Sequence, residues 1–282
     1  MKIKIKCAGL CKALSAPAKT VRDMVLSCIA SVMLLAGLTV LCVAAPTMHK
    51  SWLKHKVGQS VFEIVLTGPN DKILGGGTGF EVQAPSGEKY ILTNAHVCEA
   101  FHGKDITVQL HDGRLLQRRI IEISSVTDLC LAEGLPNVPA VSLAANSNVG
   151  DHISVIGHPL LMPLTLSSGE IIANQHVEFP YSIILPDETP EKDMGPESMK
   201  LAQCTGPKFH PQDMDTFFGP IKVCIIGLQA NLSDAVTFPG NSGSPAVDGF
   251  GHLKGVLFAG DSESHYGMLI TLSDVKNFLA PY

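Results

Sequence analysis

Short runs of alternating or β-branched residues, separated by turn-forming residues, recur along most of this chain and constrain its fold more than any other feature. The chain has 282 residues with 26 glycines and 18 prolines, so turn signals are frequent. Six predicted strands precede Gly134: Val61–Leu66, Thr78–Gln83, Lys89–Thr93, Ile106–Leu110, Leu115–Ile123 and Leu129–Ala132. Six more follow a linker that ends near Gly150: His152–Ile156, Leu164–Ala173, Lys222–Ala230, Ser244–Val247, Leu253–Phe258 and Tyr266–Leu272. This pattern predicts an all-β fold that ends in a short helix, capped by Ser273 and running through Leu279.

A serine between two glycines, in the turn Pro239–Pro245, has the surroundings of a nucleophile. Gly240 and Gly243 allow backbone conformations that a side chain would forbid. Such a turn directs the N–H groups of Gly240 and Ser242 toward one point, where an oxyanion would form. A serine hydroxyl is a weak nucleophile without a base, and a turn of this kind alone is more often a hairpin. The turn therefore predicts catalysis only if a histidine and a carboxylate accompany it.

Both partners are present earlier in the chain. His96 follows the predicted strand Lys89–Thr93, and it is the only one of the 11 histidines in a strand-to-turn segment of this kind. Asp128 precedes an apolar run, where a partly buried carboxylate needs a donor such as an imidazole N–H. The chain order His96, Asp128, Ser242 is a known order for a catalytic triad, whereas α/β-hydrolases run Ser, Asp, His.

Four motifs resemble those of the trypsin-like serine peptidases. They are Thr78–Phe80, Leu92–His96, Thr127–Leu131 and Pro239–Pro245. Two further segments, Gly157–Leu160 and Leu164–Ile172, resemble the HtrA/Deg branch of that family. The resemblance covers about residues 58–280, and the motifs occur in the family's order.

The resemblance implies two six-stranded antiparallel β-barrels of the chymotrypsin type, spanning residues 60–134 and 150–282. His96 and Asp128 would come from the first barrel and Ser242 from the second. Ser242 would attack the peptide carbonyl, His96 would transfer the proton, and Asp128 would orient the imidazole. The amides of Gly240 and Ser242 would form the oxyanion hole.

The same resemblance implies where substrate binds. Three residues would approach the primary specificity pocket: Val236, Thr237 and Phe238. Three more would pair with the substrate backbone as an added strand: Phe258, Ala259 and Gly260. No acid stands at the pocket base, which predicts a preference for small or medium apolar side chains. Asn241 stands where digestive trypsins have an aspartate that pairs with a new amino terminus, so ordering of loops is the predicted form of control.

Residues 24–45 form an uncharged segment of 22 residues, long enough as a helix to cross a bilayer core of about 30 Å. The basic leader 1–23 carries more positive charge than the linker 46–59, which predicts a cytoplasmic amino terminus and an extracytoplasmic protease domain. Val43–Ala45 resembles a signal cleavage site, but Pro46 would follow the cut. A single-pass anchor is therefore predicted, and a secreted or periplasmic product is the alternative.

Charge and motif content exclude several kinds of partner. The net charge is −5, and residues 1–23 carry six basic residues and one acid, so the remainder of the chain is acidic. An acidic body argues against nucleic-acid binding. The sequence has no glycine-rich phosphate loop, no Cys-x-x-Cys and no paired-His metal spacing, so no cofactor or metal is predicted. The expected partners are protein or peptide substrates and the membrane, with a homo-oligomer left open.

Four cysteines lie in the body of the chain. Cys98 and Cys130 each follow a predicted triad member by two residues and are predicted to be buried small hydrophobic residues. Cys204 and Cys224 bracket much of an irregular insertion, residues 180–222, and their pairing is left open. The insertion contains seven prolines, and a surface insertion and a substrate-gating loop both remain open.

The predicted function is a membrane-anchored serine endopeptidase. One alternative is a viral protease of the same fold that processes a polyprotein at a host membrane. The other is a non-catalytic peptide-binding or chaperone module. The intact set of His96, Asp128 and Ser242 with its oxyanion turn favours an enzyme over the second alternative.

Overall fold

The computed structural model describes the following residues: Leu26, Met33, 47–67, 73–101, 105–124, 126–184, 209–216, 219–260 and 266–282. The chain divides into two compact units, Met1–Ser51 and Trp52–Tyr282. In the first unit, Leu26, Met33 and residues 47–51 are helical and exposed. The predicted leader 1–23 lies outside the described residues, as does the predicted membrane segment 24–45 apart from Leu26 and Met33. Within the described parts of the chain, no helix has both the length and the apolar character to span a membrane.

The second unit contains two antiparallel sheets of seven strands each. The first sheet consists of β1 (Val61–Thr67), β2 (Ile73–Gln83), β3 (Lys89–Thr93), β4 (Ile106–Gln109), β5 (Leu115–Arg118), β6 (Ile120–Ser124) and β7 (Leu129–Glu133). Its strand order is β5-β4-β1-β2-β3-β7-β6. The second sheet consists of β8 (His152–Gly157), β9 (Thr165–Ile184), β10 (Phe209–Thr216), β11 (Gly219–Ser233), β12 (Pro245–Val247), β13 (Leu253–Gly260) and β14 (Gly267–Thr271). Its order is β10-β11-β14-β13-β12-β8-β9, and β11 also pairs with β9, which closes the sheet on itself.

The predicted number of six strands for each half of the fold is wrong. In the first sheet, the predicted strand Leu115–Ile123 is two strands, because β5 pairs with β4 and β6 pairs with β7. The chain passes from one edge of the sheet to the other at Arg119. In the second sheet, β10 is an additional edge strand that pairs with β11.

The segment 180–222, predicted as an irregular insertion, carries strand structure at both of its ends. β9 continues to Ile184, where it pairs with Lys222 of β11. Proline cannot donate a ladder hydrogen bond and is tolerated only at bulges and edges. Pro180 lies beside a register shift in the β9–β11 ladder, and Pro211 lies on the edge strand β10. The positions of these prolines therefore explain why strands form in a proline-rich sequence.

Three α-helices lie in the described part of the second unit: α1 (residues 52–58), α2 (Ala95–Glu99) and α3 (Leu272–Leu279). A short 3₁₀ helix spans Pro159–Leu161. The N-cap of α3 is Thr271, whose hydroxyl accepts a hydrogen bond from the Asp274 amide at 3.2 Å. The prediction that Ser273 caps this helix is wrong, because β14 ends at Thr271 and the helix begins at the next residue.

The two sheets share one hydrophobic core. It combines side chains from both sheets with side chains of α1 and α3: Leu53, Val57, Val61, Phe80, Leu92, Leu131, Ile156, Val256, Phe258, Ile270, Val275 and Phe278. Each fully buried side chain of this size contributes roughly 1.5–3 kcal/mol. The linker between the sheets joins them directly, because Val141 bridges to Val82 of β2 and Leu143 bridges to Leu253 of β13. The shared core and these bridges therefore fix the position of one sheet relative to the other.

Candidate active site

Two paired strands of the first sheet bring His96 and Asp128 together. β3 ends at Thr93, and α2 with His96 begins two residues later. Asp128 immediately precedes β7, whose Cys130 is the register partner of Thr93. Nδ1 of His96 lies 2.9 Å from Oδ2 of Asp128 and 3.1 Å from Oδ1. An N–H at Nδ1 donates to the carboxylate in this geometry, which leaves Nε2 to face a substrate or nucleophile.

The start of α2 holds Asp128 by several backbone and side-chain hydrogen bonds. The side chain of Asp128 is fully buried, and its Oδ1 also accepts from the backbone N–H of His96 at 3.0 Å. Its backbone oxygen accepts from the Ala95 amide at 3.1 Å and from Nδ2 of Asn94 at 3.0 Å. The φ angle of Asp128 is +52°, a left-handed conformation that is uncommon for residues other than glycine. These contacts hold the carboxylate in one orientation despite the backbone strain.

The environment raises the pKa of His96 above its ordinary value of 6.5. Burial lowers this pKa, but the charge of Asp128, its hydrogen bond and the charge of Glu99 together raise it by more. The imidazole is nevertheless 31% exposed, so it remains accessible from solvent. His96 is thus an accessible base whose protonated form a buried carboxylate stabilises.

The turn that carries Ser242 requires glycine on both sides of it. Gly240 has a φ of +92° and Gly243 a φ of +86°. A Cβ on Gly243 would lie 2.0 Å from the backbone oxygen of Thr78, and a Cβ on Gly240 would lie 2.7 Å from that of His158. Only glycine satisfies both the dihedral angle and the close approach at these positions.

Thr78 of β2 joins the first sheet to the serine turn. Its amide donates to the backbone oxygen of Ser242 at 2.8 Å, and its hydroxyl donates to that of Gly240 at 2.9 Å. The same hydroxyl accepts from the His158 amide at 3.0 Å, and its carbonyl accepts from the Thr93 hydroxyl at 2.7 Å. The sequence reasoning gave Thr78 no role, although it begins the Thr-Gly-Phe motif that carried part of the family resemblance.

The amides of Gly240 and Ser242 differ from the other amides of the turn. Those of Asn241, Gly243 and Ser244 donate to backbone carbonyls at 2.8–3.1 Å. Among the described residues, the amides of Gly240 and Ser242 donate to no backbone carbonyl. An oxyanion hole requires donors of this kind, with hydrogen bonds not already used within the protein.

The backbone of Ser242 and the Val97 side chain of α2 both lie against Gly77, and the Ser242 hydroxyl donates to β13. A Cβ on Gly77 would lie 2.8 Å from the Val97 side chain and 3.0 Å from the Ser242 backbone oxygen, so both neighbours flank Gly77. Oγ of Ser242 donates to the Phe258 oxygen at 3.4 Å, and the contacts of the described residues include no bond from Oγ to the His96 ring. In this geometry the hydroxyl proton is directed to the Phe258 oxygen, and catalytic hydrogen bonds are often made only in the complex with substrate.

Thr237, one of the three residues predicted to form the specificity pocket, lies beside the end of β13. Val236 is 43% exposed and Phe238 is 53% exposed, so both present apolar surface to solvent. Thr237 lies between two glycines. Its Oγ1 would be 2.1 Å from a Cβ on Gly260, and its Cγ2 would be 3.0 Å from a Cβ on Gly267. The structure thus brings Thr237 and Gly260 together.

The end of β13 offers one backbone edge for a further strand. β14 pairs with β13 through Ala259 and Gly260, whereas β12 pairs with β13 only as far as Val256. On the edge of β13 opposite β14, Leu257 bonds to the backbone of Gly243 and Ser244 in the serine turn, and no strand pairs beyond Val256 in the parts of the chain that the structure describes. An extended peptide is able to pair with such an edge through its main chain. The side chain of Phe258 is buried in the shared core, and its backbone oxygen accepts from the Ser242 hydroxyl.

Cys98 and Cys130 form a disulfide, with their Cα atoms 6.4 Å apart. The prediction of two separate buried residues is therefore wrong, although both residues are fully buried. The two cysteines are 32 positions apart in the sequence, and only the pairing of β3 with β7 and the return of α2 bring them together. Cys204 lies outside the described residues, so its pairing with Cys224 stays open.

The sequence of this chain is similar to those of known peptidases. The family model described as "Trypsin-like peptidase domain" matches residues 77–256, more than half of the chain. A probable serine protease do-like of Buchnera aphidicola is 36% identical over 101 residues, covering 34% of this chain and 20% of that protein. Serine endoprotease DegS of Escherichia coli K12 is 31% identical over 93 residues, covering 31% and 25%. A probable periplasmic serine endoprotease DegP-like of Chlamydia pneumoniae is 38% identical over 108 residues, covering 37% and 21%.

Solved structures show a similar fold. The active form of the Rv3671c protease of M. tuberculosis has a TM-score of 0.56 at 21% identity, covering 81% of this chain and 82% of that one. The serine endoprotease of Yersinia pestis has a TM-score of 0.52 at 19% identity, covering 82% and 66%. The predicted chymotrypsin-like, mostly β fold with a C-terminal helix is thereby confirmed. The alignments with the curated relatives span only about a fifth to a quarter of those proteins.

Proposed function

This chain belongs to the trypsin-like peptidase family, in its HtrA branch, and from that premise we propose that it is a serine endopeptidase with His96, Asp128 and Ser242 as its catalytic triad. The observation that carries the proposal is the 2.9 Å contact from Nδ1 of His96 to the buried carboxylate of Asp128. Val97, the residue after His96, and the backbone of Ser242 both lie against Gly77. The family match spans all three residues.

In the proposed reaction, Ser242 Oγ attacks the carbonyl carbon of a peptide bond as His96 Nε2 accepts the hydroxyl proton. Asp128 keeps the proton of the imidazole on Nδ1 and stabilises the imidazolium that forms. The amides of Gly240 and Ser242 would stabilise the oxyanion, by about 3 kcal/mol for each donor. His96 then protonates the leaving amine, and water hydrolyses the acyl-enzyme through the same base.

The proposed substrate is an extended peptide with a small or medium apolar side chain before the cleaved bond. Val236 and Phe238 present exposed apolar surface beside the site, and Thr237 narrows the space next to Gly260. The last residues of β13, Ala259 and Gly260, pair with β14 on one side, and the opposite side supports main-chain pairing of the peptide. A cleavage profile of a peptide library would contradict this preference if basic side chains dominated that position.

Labelling with a fluorophosphonate probe tests the catalytic proposal, because the probe reacts only with an activated serine. We expect the full-length chain in detergent to be labelled and Ser242→Ala to be unlabelled. Ser244→Ala is the matched control: it removes a buried hydroxyl from the same turn, and that hydroxyl has no hydrogen-bond partner among the described residues. Labelling of Ser242→Ala would reject Ser242 as the nucleophile. An unlabelled wild-type chain that still bound peptide would favour a non-catalytic binding module.

We further propose that residues 24–45 anchor the chain in a membrane, with the peptidase on the extracytoplasmic side. The Cys98–Cys130 disulfide supports this location, because disulfides persist in oxidising compartments and are rare in the cytosol. One relative is also named a probable periplasmic endoprotease. Alkaline phosphatase fused after Tyr282 should be active only if that end lies outside the cytoplasm, and deletion of residues 1–45 should abolish its activity. An active fusion from the deletion variant, or an inactive full-length fusion, would contradict the proposed topology.

A further inference from the structure

The helix that carries His96 does not have the length to hold itself in place. α2 has five residues, and its N-cap residue, Asn94, makes no side-chain cap hydrogen bond. Helices this short are not stable in water on their own. The position of His96 is therefore determined by the attachments of α2 to the rest of the first sheet.

Two attachments connect α2 to the segment that carries Asp128. One is the set of hydrogen bonds between the start of the helix and Asp128. The other is covalent: Cys98, two residues after His96, is bonded to Cys130, two residues after Asp128. The disulfide and the hydrogen bond from His96 to Asp128 thus join the same two short segments, side by side. A shift of α2 along β7 would have to break both.

We propose that the Cys98–Cys130 disulfide is a positioning element for the His96–Asp128 pair, so that the enzyme is fully active only when this bond is formed. This inference rests on the proposed function, since it assigns a role within the same site. Neither cysteine would touch the substrate. Their effect would act through the orientation of the imidazole, where a displacement of about 1 Å is enough to reduce a rate roughly 10²-fold.

The burial of the disulfide fits a positioning role better than that of a surface cross-link that only stabilises the fold. Both cysteines are fully buried in an apolar cluster with Val97, Ile91 and Phe62. The reagents that reduce an exposed disulfide cannot reach it without opening the first sheet. The same apolar surroundings allow the sulfurs to be replaced by aliphatic groups without burying a polar atom.

A positioning role has a distinct signature in the pH dependence. The groups that raise the pKa of His96 are the facing carboxylate of Asp128 and the nearby Glu99, while burial lowers it. If loss of the disulfide loosens the His96–Asp128 pair, Asp128 raises the pKa of His96 by less, while burial still lowers it. The pKa of His96 then falls, and the rise of activity with pH moves to lower pH. A disulfide that only stabilises the fold would reduce the active fraction without moving this limb.

The test compares the double variant Cys98→Val with Cys130→Ala against the wild-type chain. The control is Val108→Ala, a truncation in the same apolar cluster but on β4. The measurement is the second-order rate of fluorophosphonate labelling from about pH 5 to about pH 9, at a temperature where all three proteins are folded. We expect a roughly 10- to 100-fold lower rate for the double variant, with its acid limb at lower pH. For Val108→Ala, labelling should rise with pH over the same range as for the wild-type chain.

A second measurement covers the case in which the double variant does not fold. The wild-type chain is unfolded, reduced with a phosphine, refolded in its presence and labelled over the same pH range. We expect the same slower rate and shifted limb, and re-oxidation should restore both. A folded, disulfide-free protein with the wild-type rate and limb would overturn the inference. If the oxidised wild-type chain were itself unlabelled, the proposed function would fail instead, so the two failures are distinguishable.

Discussion

The two sheets hold their parts of the candidate site by different means. On the first sheet, His96 and Asp128 are fixed by side-chain hydrogen bonds and by the Cys98–Cys130 disulfide. On the second sheet, Ser242 is fixed by the path of the backbone, in a turn too crowded for any side chain at its glycines. Side-chain contacts weaken by degrees when one of them is lost. A side chain added to a crowded backbone has no space, so we expect substitutions at the glycines of the second sheet's turn to displace the whole turn.

Among the described residues, buried polar atoms without a hydrogen-bond partner occur on both sheets: Asn94 Oδ1 and Arg118 Nε on the first, and three around the serine turn on the second. Oδ1 of Asn241, Oγ of Ser244 and Nε2 of His158 are buried and have no hydrogen-bond partner among the described residues. All three belong to the serine turn or to the segment packed against it. Each such atom costs about 1–3 kcal/mol in an ordinary protein interior. The backbone amides of Asn241, Gly243 and Ser244, by contrast, all donate to backbone carbonyls.

The largest expected effect comes from the carboxylate of the first sheet. Asp128→Asn keeps an oxygen that accepts from the His96 amide but removes the charge that fixes the imidazole tautomer. We expect fluorophosphonate labelling to slow by about 10⁴-fold, with little change in thermal stability.

The matched control for this variant is Asp151→Asn on the second sheet. Asp151 forms an ion pair with Lys254 at 2.8 Å, away from the serine turn. We expect labelling of this variant at the wild-type rate. A loss smaller than tenfold for Asp128→Asn would show that the pair seen in the first sheet does not orient the base.

The second prediction concerns the crowded turn. Gly243→Ala places a Cβ 2.0 Å from the Thr78 oxygen and 2.3 Å from the Thr93 hydroxyl, so the turn has to move. We expect a labelling rate lower by roughly 10²- to 10³-fold, because the oxyanion donors move with the turn. The melting temperature should fall as well.

Gly113→Ala separates crowding from backbone strain. Gly113 has a φ of +83°, close to the +86° of Gly243, but a Cβ there would meet nothing within 4 Å. Its substitution should cost about 1–2 kcal/mol of stability and leave labelling unchanged. Equal losses of activity for Gly113→Ala and Gly243→Ala would contradict the distinction between the two sheets.

A third prediction uses a titratable side-chain contact of the first sheet. Glu81 of β2 is fully buried, and both its carboxylate oxygens lie 3.1 Å from the Leu135 amide on the linker. Burial raises the pKa of Glu81 from 4.5 to about 7, against the opposing effects of the Leu135 amide, Lys89 and Arg118. The folded state thus favours the protonated carboxyl. Its contribution to stability is complete below pH 4.5 and is lost as the pH rises to about 7.

We expect Glu81→Gln to remove this dependence. Chemical unfolding of the wild-type chain should show a fall of up to about 3 kcal/mol in the free energy of unfolding across that pH range, attributable to this group. The variant should show a correspondingly flatter profile, since its side chain does not titrate. Two parallel profiles would mean that the carboxylate is not desolvated in the folded protein.

Short-range sequence patterns were sufficient for the fold class and the family. Alternation of apolar residues located most strands of both sheets, because a half-buried strand needs that period. The motifs around His96 and Ser242 are local strings, so they were readable without knowledge of the tertiary structure. The roles of His96, Asp128 and Ser242 in catalysis remain predictions, which the labelling experiments test.

Features set by long-range pairing were not readable in the same way. The Cys98–Cys130 bond depends on the β3–β7 register, which no local pattern encodes. The hydrogen bonds of Thr78 depend on the packing of β2 against the serine turn, which lies far along the chain. The strand β10 was missed because the proline-rich segment 180–222 suggests irregular structure, whereas an edge strand tolerates Pro211.

The smallest expected effect compares the residues that begin two helices. Thr271 caps α3 on the second sheet, and Thr271→Ala should cost about 1 kcal/mol of stability without changing the labelling rate. Asn94 precedes α2 on the first sheet, where its side chain donates to the Asp128 oxygen instead of capping the helix. Asn94→Ala should cost a similar amount of stability but also slow labelling several-fold, because it loosens Asp128. Thermal unfolding and labelling of both variants measure this difference. If the two variants behaved alike in labelling, the side-chain contacts of the first sheet would be structural and not part of how the candidate site is positioned.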